Sequence, residues 1–321
     1  MGANASTGAG TPRMPPAGLV ELVAAPSNLG LRPPSPGREP GVWRAPQALL
    51  SHGLGGRLNP ARITELPRPR YEFDAQPGTR IRNGIAIREH ALTLAEAVRG
   101  ALAASQFVVV VGGDCSILLG CLAGARLEGR CGLVHIDGHS DFFHPGNYDA
   151  GSRLGAVAGM DLALATGRGE LLLTHWPAVG KPLVSDDEVI QIGDREPAAT
   201  GAAIVRFPAN EIVRLGIADV AARVIERLRR NGLERVWLHV DLDVLDQSVL
   251  PAVDSPGRPG LTFDQLSELI SRLVATGRVI GLDVTIYDPE LDPDAEYASQ
   301  IVNCIGSGVA ALPAPLGWAN I

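Results

Sequence analysis

Acidic residues and a histidine follow two apolar runs of the sequence at alternate positions. Asp137, His139 and Asp141 come directly after one run, and Asp241 and Asp243 come directly after another. Side chains two residues apart point to the same side of extended backbone, so each group can face one hollow. These residues are of the types that bind divalent metals or transfer protons.

Four carboxylates in one hollow would repel one another, and their pKa values would rise. A divalent metal removes that repulsion, and a mixture of carboxylates and imidazole suits manganese, nickel, zinc or iron. Four carboxylates exceed what a single zinc ion requires, so we expect two metal ions. Two metals about 3.5–4 Å apart can hold a bridging hydroxide, which is a nucleophile available at neutral pH.

Short apolar runs alternate with helical patterns through most of the chain. Strands are predicted at 107–111, 132–136, 189–192, 236–240 and 279–284, and helices at 92–104, from 118, at 217–230 and at 262–276. Such alternation is typical of an α/β fold with a mostly parallel sheet covered on both faces. Four of the strands run into polar clusters, at 112–116, 137–141, 193–196 and 241–246. Because ligands of such sheets bind beyond the carboxyl ends of the strands, we expect these clusters to meet at one edge.

Length, charge and cysteine content exclude several classes of protein. The chain has 321 residues, 45% of them hydrophobic and 20% charged, which suffices for a full core and excludes a wholly disordered chain. The formal net charge of −7 argues against a nucleic-acid partner. No apolar stretch reaches the ~18 residues that a membrane span needs. Four cysteines without a CxxC pair predict a reducing, cytoplasmic compartment.

The composition also changes along the chain. Residues 1–18 are rich in Gly, Ala, Ser and Pro, which predicts a flexible N-terminal tail. Residues 19–321 have the composition of a globular protein throughout, which predicts a single domain.

The motifs and their order resemble those of the ureohydrolases, the arginase/agmatinase/formimidoylglutamase family. The matching stretches are Gly-Gly-Asp-Cys-Ser at 112–116, Asp-Gly-His-Ser-Asp at 137–141 and His-Val-Asp-Leu-Asp-Val-Leu-Asp-Gln-Ser at 239–248. Segments at 254–262 and 281–289 are similar as well, so the resemblance extends from about Val20 to the C-terminus. It implies a three-layer α/β/α fold, a binuclear manganese cluster and a homo-oligomer, either a trimer or a hexamer.

The resemblance assigns six metal-ligand positions, which are here Cys115, Asp137, His139, Asp141, Asp241 and Asp243. The family has a histidine where this chain has Cys115. Because a thiolate is a softer ligand than an imidazole, zinc, nickel, iron or cobalt are alternatives to manganese for the two divalent ions. In the family mechanism the bridging hydroxide attacks the guanidino carbon. Asp141 would orient the hydroxide and carry a proton to the leaving amine.

Two substrate positions depart from the family pattern. Ala158 stands where a loop histidine is usual, and Ile286 stands where a glutamate usually holds the guanidinium. A guanidinium that is buried without a carboxylate partner would be poorly held. Another residue must therefore take over each role, or the substrate is not a plain guanidinium.

Several residues are candidates for these roles. Asp161, Asp194 and Glu196 are the candidate substrate-binding carboxylates, and His144 is the candidate catalytic acid or base. His239 stands where the family often has serine. A hydrogen-bonded structural histidine is the default interpretation at that position.

The sequence therefore predicts a hydrolase of carbon–nitrogen bonds, other than peptide bonds, in linear amidines. The substrate would be a small guanidino or amidino molecule, and urea or a similar product would be released. Two alternatives stay open. Ile286 favours an amide-type hydrolase on the same scaffold, and Cys115 with Ala158 favours a catalytically inactive, metal-binding partner subunit. No nucleic-acid or membrane partner is expected.

Overall fold

The computed structural model describes residues 14–144, 154–180, 182–196 and 203–314. Most of the predicted N-terminal tail, residues 1–13, lies outside the described residues. None of the helices in the described part is both long and apolar enough to cross a bilayer.

Eight parallel strands form one sheet in the order β2-β1-β3-β8-β7-β4-β5-β6. The strands are β1 (Val20–Ala25), β2 (Arg62–Glu65), β3 (Phe107–Gly112), β4 (Gly132–Ile136), β5 (Val189–Ile192), β6 (Val205–Phe207), β7 (Val236–Asp241) and β8 (Val279–Thr285). The five predicted strands are present within one residue of their predicted bounds. The predicted parallel sheet is confirmed.

Three strands were not predicted, and β1 shows why. Glu21 interrupts the apolar run of β1, yet it is only 2% exposed. Its carboxylate accepts hydrogen bonds from the Arg62 guanidinium at 2.8–3.0 Å and from the Thr64 hydroxyl at 2.9 Å, both on the neighbouring edge strand β2. A buried charge is tolerated when such partners satisfy it, and those partners lie some 40 residues away in the sequence.

Helices cover both faces of the sheet. They are α1 (Ala45–Ser51), α2 (Leu54–Leu58), α3 (Gly84–Ala103), α4 (Ile117–Leu127), α5 (Asp161–Ala165), α6 (Leu171–Thr174), α7 (Ala209–Leu215), α8 (Ile217–Arg230), α9 (Phe263–Val274) and α10 (Glu296–Val309). Val109 and Val111 of β3 belong to the core shared with α8, α9 and α10, whereas Val108 and Val110 belong to the core shared with α3 and α4. Alternate residues of the strand thus pack into two cores, one on each face of the sheet. The three-layer α/β/α fold is confirmed.

Helix boundaries follow local signals where those exist. Thr262 was predicted to cap α9, and its hydroxyl accepts a hydrogen bond from the Gln265 backbone N–H at 3.2 Å, while the Gln265 side chain accepts from the Thr262 N–H. This reciprocal capping box satisfies two N–H groups at the helix start. In contrast, α3 begins at Gly84 rather than at Leu92, because Ile87 and His90 in its first turns are buried against the rest of the protein.

One buried aspartate fixes the loop that follows β3. The Asp114 carboxylate is 0% exposed. It accepts hydrogen bonds from the Ser27 hydroxyl at 2.6 Å, the Gly30 N–H at 3.0 Å and the Ser116 N–H at 2.9 Å. Ser27 and Gly30 follow β1, so Asp114 ties together the loops beyond two adjacent strands. The position of the intervening Cys115 depends on this tie.

The substitution Asp114→Ala should destabilise the protein strongly. It leaves two buried N–H donors without an acceptor, each at a cost of about 1–3 kcal/mol. We expect the free energy of unfolding, measured by urea denaturation, to fall by roughly 2–5 kcal/mol. The matched control is Asp74→Ala at an exposed turn, which should change the free energy by less than about 0.5 kcal/mol. Equal effects of the two substitutions would contradict this role of Asp114.

Candidate metal centre

The carboxyl ends of β3, β8, β7 and β4, the four central strands, meet at one edge of the sheet. There the carboxylates of Asp137, Asp241 and Asp243 have oxygens within 4.8 Å of one another, as do the ligand atoms of Asp137, His139 and Asp141. The four aspartates are at most 5% exposed. The structure therefore brings these five residues together at one edge of the sheet.

Hydrogen bonds between the two strand-end loops hold these side chains. The Asp137 Oδ1 accepts from the His139 backbone N–H at 2.6 Å, and the Asp241 Oδ1 accepts from the Asp243 backbone N–H at 2.7 Å. Asp243 links the loops, because its Oδ1 accepts from the Gly138 N–H at 3.0 Å and its Oδ2 lies 2.8 Å from the Nδ1 of His139. Each loop thus orients its own carboxylate with its own backbone.

The pKa values at this edge are strongly perturbed in the metal-free protein. Burial and mutual repulsion raise the pKa of Asp137 and Asp141 well above the usual range. Burial and the neighbouring Asp243 carboxylate raise the pKa of Asp241 to about 8. The hydrogen bond to Asp243 raises the pKa of His139 to about 9. These carboxylates hold protons at neutral pH because no positive charge offsets their repulsion. A divalent cation would supply that charge and displace the protons.

Cys115 lies at this edge as predicted and is 1% exposed. Its Sγ lies 2.8 Å from the Oδ2 of Asp241 and 3.5 Å from the Oγ1 of Thr285. Burial and the surrounding carboxylates raise the pKa of the thiol well above its usual value. In the absence of a cation, Cys115 is therefore a neutral thiol that donates to Asp241.

Arg195 holds the loops of the centre together, a role that the sequence did not indicate. Its guanidinium donates to the backbone carbonyls of Pro259 at 2.9 Å and Gly138 at 3.2 Å, and also to the carbonyl of Asp243. A Cβ at position 138 would lie 2.1 Å from the Arg195 Nη1. A larger residue at position 138 would therefore displace the Arg195 guanidinium from these carbonyl oxygens.

A cavity of about 280 Å³ opens directly onto the centre. Its lining includes His139, Asp141, Asp241 and Asp243. It has the size of a site for a small molecule, with polar groups gathered at one end.

Ala158 and Ile286 both line this cavity, at the two positions where the sequence departs from the family pattern. Ile286 has a φ of +74°, which is a strained conformation for a β-branched residue. Its backbone N–H donates to the Gly113 carbonyl at 2.6 Å, which ties β8 to the loop after β3. The wall therefore presents an aliphatic side chain where a carboxylate was expected.

The three candidate substrate-binding carboxylates occupy different places. Glu196 lines the cavity and accepts hydrogen bonds from the Ser140 N–H, at 2.9 Å, and the Ser140 hydroxyl. Both oxygens of Asp194 instead face the Arg206 guanidinium, and Asp161 is buried beneath the centre. Neither of these two is among the described residues that line the cavity, so the structure supports only Glu196.

His144 is also absent from the described cavity lining. Its ring packs edge-on against Phe142, with the centroids 5.9 Å apart. Burial and the nearby Arg168 lower its pKa. Its predicted part in catalysis therefore has no geometric support.

Asp254 lines the cavity and was not identified from the sequence as a site residue. It lies in the segment at 254–262 that resembles the family, which was the available signal. The structure also places two histidines, His135 and His239, beneath the centre, and both are 0% exposed.

The comparisons with known proteins agree with this fold. A sequence model described as the arginase family matches residues 35–307. An arginase from Bacillus caldovelox is 30% identical over 302 residues, covering 90% of this chain and 97% of that protein. The native structure of the Bacillus caldovelox arginase matches with a TM-score of 0.80 at 27% identity, covering 90% of this chain and 97% of that one.

A more distant match shows the same fold. The agmatine ureohydrolase of Thermoplasma volcanium has a TM-score of 0.67 at 17% identity, covering 92% of this chain and 89% of that one. The family match spans most of the chain, and the acidic edge of the sheet lies within it. The chain therefore belongs to the arginase family, the hydrolases that act on carbon–nitrogen bonds in linear amidines.

Proposed function

We propose that the protein hydrolyses a carbon–nitrogen bond of a small guanidino or amidino molecule with the help of two divalent metal ions. The observation that carries this proposal is the group of buried carboxylates at the carboxyl ends of β4 and β7, which opens onto a cavity of small-molecule size. The ions would be held by the proposed set of Cys115, Asp137, His139, Asp141, Asp241 and Asp243.

The residues of this set fit divalent cations. The Asp137 Oδ2 is buried and has no hydrogen-bond partner among the described residues. Carboxylates with raised pKa values exchange their protons for a cation readily, because metal binding and deprotonation are coupled. When bound, two such ions supply a hydroxide nucleophile at neutral pH and stabilise developing negative charge. Manganese suits the carboxylates and imidazole, and the Cys115 thiol favours zinc, iron, cobalt or nickel as the alternatives.

Glu196 would hold the cationic end of the substrate in place of the glutamate that Ile286 replaces. Its backbone-anchored carboxylate lies in the cavity wall near the metal-binding carboxylates. A planar amidinium pairs well with a carboxylate because it can form two charge-assisted hydrogen bonds. Asp254 adds a second negative charge to the wall. The Ile286 side chain would pack against an apolar part of the substrate.

Asp141 would transfer the proton that the reaction requires. It is 5% exposed, lines the cavity and has a raised pKa. A carboxylate in this position can accept a proton from the attacking water and donate it to the leaving amine. We assign this role to Asp141, because Ala158 has no titratable side chain and His144 is not among the described residues that line the cavity.

An amide-type hydrolase is the second candidate function, and the aliphatic Ile286 in the cavity wall favours it. A neutral amide needs no carboxylate at that position. The two candidates differ in the charge of the substrate, so the substrate preference distinguishes them.

The remaining expectations concern the setting of the enzyme. We infer that it works in the cytoplasm as a single domain from residue 19 onward and assembles into a trimer or hexamer. The four cysteines are all unpaired and buried, which supports a reducing compartment. The family likeness supports the assembly and the single domain.

A substrate panel tests the proposed function. The manganese-loaded and zinc-loaded protein is assayed with guanidines, amidines and amides for release of urea, ammonia or a free amine. We expect turnover of a cationic guanidine or amidine. Asp243→Asn should lose metal by elemental analysis and fall to background activity, because Asp243 is one of the proposed ligands and its Oδ2 holds the His139 ring. Turnover of amides alone would favour the second candidate, and no turnover by a protein that holds two metals would reject both.

Glu196→Gln should weaken the binding of a cationic substrate while the Ser140 hydrogen bond is kept. A charge-assisted hydrogen bond contributes about 1.5–3 kcal/mol, so we expect kcat/KM to fall roughly 10–150-fold, mainly through KM. The metal content should not change. The matched control is Glu65→Gln at the exposed edge of β2, which should leave kcat/KM unaltered. An unchanged KM in Glu196→Gln would refute the proposed contact.

Metal removal should make the stability strongly dependent on pH. In the metal-free protein the pKa of Asp241 is about 8, and the pKa values of Asp137 and Asp141 are also raised. Unfolded aspartate has a pKa of about 3.9. The folded state therefore binds more protons than the unfolded state, so the free energy of unfolding falls as pH rises from about 4 towards 8. His139, whose pKa is raised to about 9, extends this loss above neutral pH.

Thermal unfolding with a chelator or with Mn²⁺ measures this effect. We expect the Tm of the chelated protein to drop between about pH 5 and pH 8, because repulsion between ionised carboxylates grows over that interval. Added Mn²⁺ should raise the Tm, and the increase should be larger at the higher pH. A Tm that rises with pH in the chelator would contradict the raised pKa values.

A further inference from the structure

Two stacked histidines and an aspartate lie directly beneath the proposed metal set. His135 on β4 and His239 on β7 are register partners on adjacent strands, and their rings stack with centroids 4.8 Å apart and 26° between the planes. Asp161, the first residue of α5, covers them from the helical layer. All three residues are 0% exposed.

The polar atoms of this cluster lie close to one another. The Nε2 atoms of His135 and His239 lie 3.3 and 3.5 Å from the carboxylate oxygens of Asp161. The same two nitrogens lie 3.7 and 4.0 Å from the Oδ2 of Asp137. A four-coordinate zinc with ligand distances of about 2.0–2.2 Å sets neighbouring ligands about 3.3–3.6 Å apart. The two separations to Asp161 lie in that range, and the two to Asp137 are longer.

Several of these atoms have no other partner. The Nε2 of His239, the Oδ2 of Asp161 and the Oδ2 of Asp137 are buried without a hydrogen bond in the described part of the chain. A buried polar group without a partner costs about 1–3 kcal/mol. The His239 Nε2 lies 3.5 Å from the Asp161 Oδ2 and 4.0 Å from the Asp137 Oδ2, and three unpartnered atoms gathered in this way indicate a shared cation.

The remaining contacts of His239 fix its orientation. Its Nδ1 lies 2.6 Å from the Oδ2 of Asp283, whose Oδ1 accepts a hydrogen bond from the Trp237 Nε1 at 2.6 Å. A carboxylate that binds one nitrogen of an imidazole presents the other nitrogen to a metal, and this arrangement is usual behind metal-bound histidines. The orientation of His239 is thus set for its Nε2 to act as a ligand.

The cluster is continuous with the catalytic cavity. Asp137 belongs to both groups, and a carboxylate oxygen of Asp141 lies within 4.8 Å of the ligand atoms of His135 and Asp161. The Cys115 Sγ lies within 4.8 Å of the ligand atoms of Asp161 and His239. The residue that replaces the expected histidine is therefore next to the His239 imidazole.

We propose that the first of the two metal ions occupies this inner position, with His135, Asp137, Asp161 and His239 as its ligands. The inference rests on the proposed two-metal function, and it puts His135, Asp161 and His239 in place of Cys115 and Asp141 in the ligand set given above. Four nitrogen and oxygen ligands are present without Cys115, so the thiol is not required. Two imidazoles and two carboxylates suit zinc, cobalt or manganese. The second ion would remain with His139, Asp241 and Asp243, and Asp137 would bridge the two.

A metal-free ion network is the competing explanation for the same cluster. In it His239 is protonated between Asp283 and Asp161, and these carboxylates raise its pKa to about 9 in the metal-free protein. That network needs no cation and predicts no loss of metal when Asp161 is changed.

Metal content per chain after zinc or cobalt reconstitution separates the two explanations. We expect the wild-type protein to bind two ions, Asp161→Asn about one, and His139→Asn about one. Cys115→Ser should keep two. The matched control is Asp292→Asn, at a buried aspartate that binds the start of α10, and it should also keep two. Two ions in Asp161→Asn, or three in the wild-type protein, would overturn the placement of the first ion at the inner position.

A second measurement uses the unaltered protein, in case a core substitution prevents folding. X-ray absorption of the two-zinc form reports the imidazole ligands. We expect three imidazoles shared by two zinc ions, whereas the set implied by the family resemblance provides His139 alone. A single imidazole for two ions would overturn the proposal. Neither measurement depends on catalysis, so a protein that holds both ions but hydrolyses nothing would reject the proposed function and leave this site supported.

Discussion

Mutual repulsion among buried aspartates is the constraint on which the rest of this structure depends. Asp137, Asp141, Asp241 and Asp243 occupy one edge of the sheet, almost out of contact with water. Burial and the neighbouring carboxylates disfavour the ionised form of Asp137, Asp141 and Asp241 and raise their pKa values. Protons or divalent cations must balance the charge. A site that exchanges protons for divalent cations has the chemistry that a metal-dependent hydrolase requires.

Holding such groups in place requires rigid loops. Backbone N–H groups orient the carboxylates within each loop, and the Arg195 guanidinium joins separate loops through their carbonyl oxygens. Asp114 does the same for the loops after β1 and β3. The hydrogen bonds of Arg195 and Asp114 join segments that are distant in sequence. They convert the edge of a sheet into a site of fixed geometry.

Two departures from the family pattern are alike, one in the cavity wall and one in the proposed metal set. A carboxylate is missing at Ile286, directly after β8, and one is present at Glu196, in the loop beyond β5. Imidazole is missing at Cys115 and is present nearby at His135 and His239. In both cases we propose that a neighbouring element supplies the functional group. The edge of the sheet makes this possible, because it brings the ends of several strands close together.

The sequence by itself determined the parallel sheet, the five central strands and the residues that gather at their ends. Continuous apolar strands and alternate polar spacing are local patterns, and so was the Thr262 cap. Only the tertiary structure decided which of Asp161, Asp194 and Glu196 faces the cavity, because the Arg206 partner of Asp194 and the depth of Asp161 depend on packing. Only the register of β4 against β7 placed His135 beside His239. Pairing across about a hundred residues leaves no local trace in a sequence, since contacts are made by side chains that the fold alone brings together.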